Sequence, residues 1–305
     1  MTVIWHRLFS AILVTIAVSV VVFFMIHLIP GDPVDVMLGE SATVADRQAL
    51  RESLGLHLPI SSQFVQYFSH LVHLDLGTSL HTKEPISQLI AERFPATLQL
   101  TLGGLFIALL ISIPLGIFAA IYKNTWIDKF SMIVALTGLS IPNFLLGPLL
   151  VLFFSLWLSL LPVSGNDSFL HLLLPSITLG LSMASILTRM IRSSLLETLG
   201  EDFIRTAWAK GVHPASIIWN HAMRNAWLPV ITVIGAQLGA LLGGAMVTET
   251  VFDWPGIGTL MIESIQRRDY PIVQACVLII SVSYVLVNSM TDIGYSLLDP
   301  RVRNS

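Results

Sequence analysis

Apolar residues gather into six long runs, at 8–29, 96–122, 131–160, 172–187, 230–251 and 272–295, with polar intervals between them. About 20 apolar residues suffice to cross the hydrocarbon of a bilayer, so the pattern predicts six membrane-spanning helices. The first run could instead be a cleaved signal peptide, but it lacks a short apolar core followed by a small-residue cleavage site. A retained helix is preferred, stopped at Pro30-Gly31-Asp32-Pro33, where Pro33 disfavours helix at Asp32. The third run contains Ser140-Ile141-Pro142-Asn143 and Gly147-Pro148, which predict a kinked or interrupted helix. The fifth carries Gly235, Gly239, Gly243 and Gly244, spaced for close helix approach.

Two polar intervals are long. Residues 31–95 contain stretches of helical spacing, 46–54 and 61–74, too short to span; they read as a small extracytoplasmic subdomain. Its histidines His57, His70, His73 and His81 invite a metal hypothesis, but no carboxylate constellation supports one, and they read as surface residues. The other interval, Glu201 to Pro229, predicts two short helices. Glu201 and Arg205 stand in the favoured order for a helical ion pair, Gly211 ends the first helix, and Pro214 suits the first turn of the second. Ala215, Ile218, Trp219, Ala222 and Ala226 form one apolar stripe, opposed by Ser216, Asn220 and Arg224. An amphipathic hairpin between spans is suited to docking.

Composition agrees with a polytopic membrane protein: 305 residues, 54% hydrophobic and 11% charged, where soluble domains carry roughly 25% charged residues. The net charge of −3 decides little, because the sign asymmetry between loops matters more. With one cysteine, Cys276, no intrachain disulfide or cysteine metal site is possible. Six spans put both termini on one side. That side carries Arg7, Lys123, Lys129, Arg189, Arg192, Arg205, Lys210, Arg224, Arg301 and Arg303. The other side has Arg267 and Arg268 in a short loop, plus Arg47, Arg51, Lys83 and Arg93 in a stretch too long to count. Both termini and the hairpin are therefore expected in the cytoplasm.

No G-x-x-x-x-G-K-[ST], H-E-x-x-H or G-x-S-x-G string occurs, so no P-loop, zinc-protease or serine-hydrolase signature is present. Ionisable residues are missing from the span centres, which argues against a stand-alone secondary transporter. No Ser–His, Asp–Asp or metal constellation lies within the spans, which argues against an intramembrane enzyme. Asn143 and Gln237 are candidate pathway residues, with interhelical hydrogen bonding as the alternative; Asn288 is a further polar residue at membrane depth, and Asp292 is expected to tie helix ends together. Glu249 is a gate or partner-contact candidate.

Arg205-Thr206-Ala207-Trp208-Ala209-Lys210-Gly211 and His221-Ala222-Met223-Arg224-Asn225-Ala226 resemble the EAA loop of ABC importer permeases. The form is that of the dipeptide, oligopeptide, nickel and glutathione branch, which runs close to RTARAKG…HALRNA; Trp208 replaces a usual Arg. PGDP, Leu74-Asp75-Leu76-Gly77-Thr78-Ser79, Glu249-Thr250-Val251-Phe252-Asp253-Trp254-Pro255-Gly256-Ile257-Gly258 and Arg267-Arg268-Asp269-Tyr270-Pro271 extend the resemblance along the chain.

The resemblance implies an all-α, MetI-like type I ABC importer permease of the bacterial inner membrane. Residues 1–30 would hold the first helix, 31–95 the extracytoplasmic subdomain, and 96–300 the core with a coupling loop at 197–229. It implies a non-catalytic subunit with no cofactor or metal of its own. Partners would be a second homologous permease, two ATP-binding subunits holding ATP and Mg, and an extracytoplasmic solute-binding protein. The implied coupling residues are Glu201, Arg205, Ala207, Trp208, Lys210, Gly211, Ile218, His221 and Arg224. Pathway candidates are Asn143, Gln237, Gly239 and Gly243, and gate or binding-protein contacts Glu249, Asp253, Trp254 and Asp269. Dipeptides are the first expectation for substrate, with nickel, glutathione or oligopeptides as alternatives.

Overall fold

In the computed structural model, residues 2–28, 34, 43–53 and 55–298 are described. The expected PGDP stop, Arg301 and Arg303, and the side chains of Arg7 and Asp292, lie outside the described residues. Apart from an isolated bridge between Thr78 and Pro85, the regular elements among the described residues are all helices. Helices α1 (Thr2–Leu28), α2 (Val44–Ser53) and α3 (Ile60–Val72) come first. Then follow α4 (Ile86–Ile121), α5 (Trp126–Ser140), and α6 (Asn143–Leu150), which continues in π-helical turns over Val151–Trp157. The remainder comprises α7 (Phe169–Leu199), α8 (Asp202–Ala209), α9 (Pro214–Phe252), α10 (Ile257–Gln266) and α11 (Tyr270–Leu298).

Among the described residues α4, α7, α9 and α11 are each long and apolar enough to cross a membrane, and α5 and α6 reach that length only together, as a bent pair. The sixth expected span falls on α1, which carries the apolar segment Ile12–Phe24. The break between α5 and α6 is sharp, at 104°. Its cause is local: Pro142 disfavours helix at Ile141, and both residues take extended backbone.

Two expected boundaries move. The second span begins at Ile86 rather than Ala96, because Pro95 sits inside the helix instead of ending it. The second loop helix does not stop before the fifth span; Pro214 to Phe252 is one helix, and Pro229 lies within it.

Helix α7 is central, packed on α4, α5, α6 and α9. Small residues permit the closest approach. A Cβ added to Gly180 would lie 2.6 Å from the Gly104 carbonyl of α4, so a side chain there would force the helices apart. One apolar core runs through α4, α7, α8 and α9; a second joins the start of α4 to α10 and α11 through Ile86, Ile257, Ile272 and Cys276.

Candidate coupling loop and pathway

Between α7 and α9 the chain makes a helix, a turn and a helix start. Asp202 opens α8, where a carboxylate suits the positive end of the helix dipole. Arg205 pairs with Asp202 at 3.3 Å, not with Glu201 as expected. Glu201 is the N-cap of α8 with extended backbone; its carbonyl accepts from the Arg205 N–H at 3.3 Å, while the Arg205 side chain turns to Asp202. Both partners are exposed, so the pair adds little stability.

The end of α8 is a Schellman turn. Gly211 N–H donates to the Trp208 carbonyl at 3.0 Å and Val212 N–H to the Ala207 carbonyl at 3.2 Å. Gly211 has φ +73° and open space where a Cβ would go, so backbone conformation, not packing, demands glycine there. Pro214 then starts α9, and the His213 ring accepts from the Ala215 N–H at 3.3 Å. This histidine cap has no signal in the spacing of apolar residues.

The loop has two faces. Ile204, Ala207, Ile217, Ala222 and Met223 are buried in the main core. Glu201, Arg205, Trp208, Lys210, Gly211 and Arg224 are exposed, and His221 is half-buried. Ala207 is therefore an anchor and not a contact residue. The expected stripe is redistributed by π-helical turns over Ile217–Ala222, which bring Ile217 into the core. Ala215, Ile218 and Trp219 instead line a groove with Ile113, Pro114, Ile117 and Phe118 of α4, and Trp219 stays 55% exposed.

A pin that the sequence reading missed lies between α5 and α7. Arg192 Nε and Nη2 donate to the two oxygens of Asp128 at 2.6 and 2.8 Å, and Asn124 N–H donates to the same carboxylate at 2.9 Å. The residues are 64 apart in sequence, so no periodicity announces the pair.

The pathway candidates differ in their surroundings. Asn143 and Gln237 are half-buried, and neither side chain has a hydrogen-bond partner among the described residues. Gly239 is buried, and a Cβ there would run into the Tyr284 ring of α11, so it is a packing position. Gly243 is exposed with nothing near its missing side chain. Gln237 and Gly243 project from α9 about 120° apart at 3.6 residues per turn.

The gate candidates form structure instead of surface. Glu249 is fully buried. It accepts from Thr97 Oγ1 at 2.6 Å, Gly258 N–H at 2.7 Å and Thr259 N–H at 3.2 Å. A carboxylate thus caps the first turn of α10 while tying α9 to α4. Trp254, 2% exposed, donates its indole N–H to the Ala96 carbonyl at 2.8 Å. Gly256 and Gly258 leave room for the Glu249 carboxylate, which a Cβ at Gly256 would strike. Asp269, also buried, accepts from Ser79 Oγ at 2.6 Å and Leu80 N–H at 3.0 Å, clamping the 74–85 segment to the start of α11. Of the four, only Asp253 is exposed, at φ +51° where α9 ends. Glu249, Trp254 and Asp269 are buried within the chain, so none offers a contact surface here.

The α8–α9 turn is thus rooted in the core of a bundle of helices long and apolar enough to cross a membrane. The chain belongs to the family described as binding-protein-dependent transport system inner membrane components, whose model matches residues 112–304; the family's N-terminal model matches residues 1–101. It is a multi-pass ABC importer permease of the peptide and glutathione branch. It is 43% identical over 297 residues, covering 97% of each chain, to the glutathione transport system permease protein GsiC of Salmonella paratyphi A. Identity to the protein of that name from Escherichia coli K12 is 41% over the same coverage. The fold matches an inward-facing MetNI methionine ABC transporter chain with a TM-score of 0.61, covering 71% of this chain and 99% of that one at 18% identity. An amino acid ABC transporter chain matches with a TM-score of 0.52 at 15% identity, covering 70% of this chain and 94% of that one. The all-α, MetI-like expectation is met.

Proposed function

We propose that this permease imports small peptides by coupling the α8–α9 loop to ATP-binding subunits. Arg205, Trp208, Lys210 and Arg224 are the exposed side chains that would meet the ATPase, with Glu201 and His221 beside them. One observation carries this reading: the exposed face surrounds a rigid Schellman turn whose opposite face, Ile204, Ala207 and Ile217, is buried in the core shared with α4, α7 and α9. A push on the loop would reach the spans without an intervening flexible linker. ATP and Mg would reside on two partner subunits, a second homologous permease would complete the pathway, and an extracytoplasmic binding protein would deliver the substrate. Movement of the loop would bias a two-state rocking of the core helices.

The orientation proposed places α8 and both termini in the cytoplasm, supported by the bias of Lys and Arg in short loops. Single cysteines at Ser62 and Ser216, in a Cys276→Ser background, test it with an impermeant thiol reagent on whole cells. Labelling at Ser62 and not Ser216 is expected; the reverse overturns the orientation. For substrate, the names of the relatives move the weight from dipeptides to glutathione, itself a tripeptide. ATPase stimulation in the reconstituted complex by binding protein loaded with glutathione or with dipeptides distinguishes the two.

A further inference from the structure

Helix α3 is too short to span, yet it does not stand clear of the bundle. Phe64 packs edge-on against Phe23 of α1 at 5.2 Å, and Tyr67 lies 5.6 Å from the same ring. Phe23 and Phe24 close the apolar segment Ile12–Phe24. On its other side α3 shares a cavity with α11, lined by Tyr67 and Leu71 from α3 and by Ala275 and Leu278 from α11. Leu278 lies eight residues into the candidate span Tyr270–Thr291, or about 12 Å along the helix at 1.5 Å per residue. The inner face of α3 therefore sits at the depth of the outer turns of two spans.

Its remaining surface is divided. At 100° per residue, Val65 and Val72 lie on one edge beside Phe68, continuing the packed arc of Phe64 and Leu71. Val65 is 65% exposed, Val72 79% and Leu74, just past the helix end, 86%. Leu74 has φ +57°, a left-handed conformation uncommon for an apolar residue. The opposite arc carries Ser62, Gln66, Ser69 and His73, and the helix contains no Lys, Arg, Asp or Glu. On α1 the exposed apolar surface runs on through Val21 and Phe24, beside Phe64.

We propose that α3 lies in the boundary between lipid headgroups and acyl chains, with its Val65–Val72–Leu74 edge against lipid and its Gln66–His73 arc toward water. A moderately amphipathic helix without charge suits that layer, where an apolar face sinks about 5–10 Å. Part of the 31–95 interval is then a membrane-anchored collar around α1 and α11. The inference rests on the bilayer placement of α1 and α11 and not on the coupling role of the α8–α9 loop, so the two fail separately.

The test places single nitroxide labels at Val65, Val72, Gln66 and His73 in the Cys276→Ser importer complex, in nanodiscs of phosphatidylethanolamine and phosphatidylglycerol. Collisions with oxygen, which concentrates in lipid, are compared with collisions with a water-soluble nickel chelate. Oxygen collisions exceed nickel collisions at 65 and 72, and the order reverses at 66 and 73. Nickel preference at 65 and 72 would place the edge in open water and overturn the proposal. Exclusion of both reagents there would mean that a protein partner covers the edge, which overturns it equally. Leu74 and Ser69 replace any labelled position that lowers recovery of the complex.

Discussion

Thr97 donates its hydroxyl to the carboxylate of Glu249 at 2.6 Å, although 152 positions separate them. The bond joins α4 to α9, and the same carboxylate holds the first turn of α10. The three helices are thereby fixed together at the end of α9 opposite the α8–α9 loop.

Removing one donor from this buried acceptor has a defined cost. Thr97→Val leaves the carboxylate two of its three donors, strands the Ile257 N–H that donates to the Thr97 hydroxyl at 2.8 Å, and is expected to destabilise the chain by about 1–3 kcal/mol. Glu249→Ala, which strands the Gly258 and Thr259 amides as well, is expected to cost more. Thermal unfolding of the purified complex checks both; an unchanged midpoint for Glu249→Ala would mean that the lock does not hold the helices.

Gly239 and Gly243 are expected to separate packing from open surface. Gly239→Leu drives a side chain into the Tyr284 ring and lowers the yield and melting temperature of the complex. Gly243→Leu meets nothing within the chain and leaves the stability of this subunit intact. Equal recovery of both variants, compared by size-exclusion profile and melting temperature, contradicts the assignment of Gly239 to a packing seam.

The fold was legible because membrane-length apolar runs and breakers act locally. Pro142 marked the broken span, and Gly211 marked the turn that the backbone makes at φ +73°. What escaped notice depends on distant partners. The Asp128–Arg192 pin joins the first turn of α5 to α7, and neither residue's neighbours signal the other. Glu249 stood out as an acid near a span end, but only the fold brings Thr97 and two amides to it. That Gly239 packs closely was not legible either, because a glycine stripe serves close packing as well as an open face, and only the position of Tyr284 shows the packing.

The Asp128–Arg192 pin predicts that Arg and Lys are not interchangeable at 192. Lysine keeps the charge but loses the two-pronged geometry of the guanidinium. Arg192→Lys is expected to lose about 1–2 kcal/mol, and Asp128→Asn a similar amount, with no further loss in the double variant. Additive losses in a double-mutant cycle would show that the two residues act independently.

Near α3, the Gly77 N–H and the His70 ring hold the Asp75 carboxyl below its ordinary range. A carboxylate with a depressed folded pKa stabilises the fold above its unfolded pKa, and that stability is lost as pH falls through the lower folded value. The effect is small, because both Asp75 and His70 are exposed. Amide exchange over residues 73–79 is expected to quicken in acid below the ordinary carboxylate range. Asp75→Asn removes that dependence; an unchanged acid response in the variant would assign it to another group.

The coupling account stands on the turn at Gly211. A β-branched side chain resists φ +73°, so Gly211→Val changes the angle between α8 and α9 without touching any packed neighbour. ATP hydrolysis and substrate uptake, measured together in vesicles holding the whole importer, test it most directly. The expected result is a permease that still reaches the membrane but either loses its ATPase subunits or hydrolyses ATP without uptake. Wild-type uptake per ATP in Gly211→Val vesicles would contradict the account.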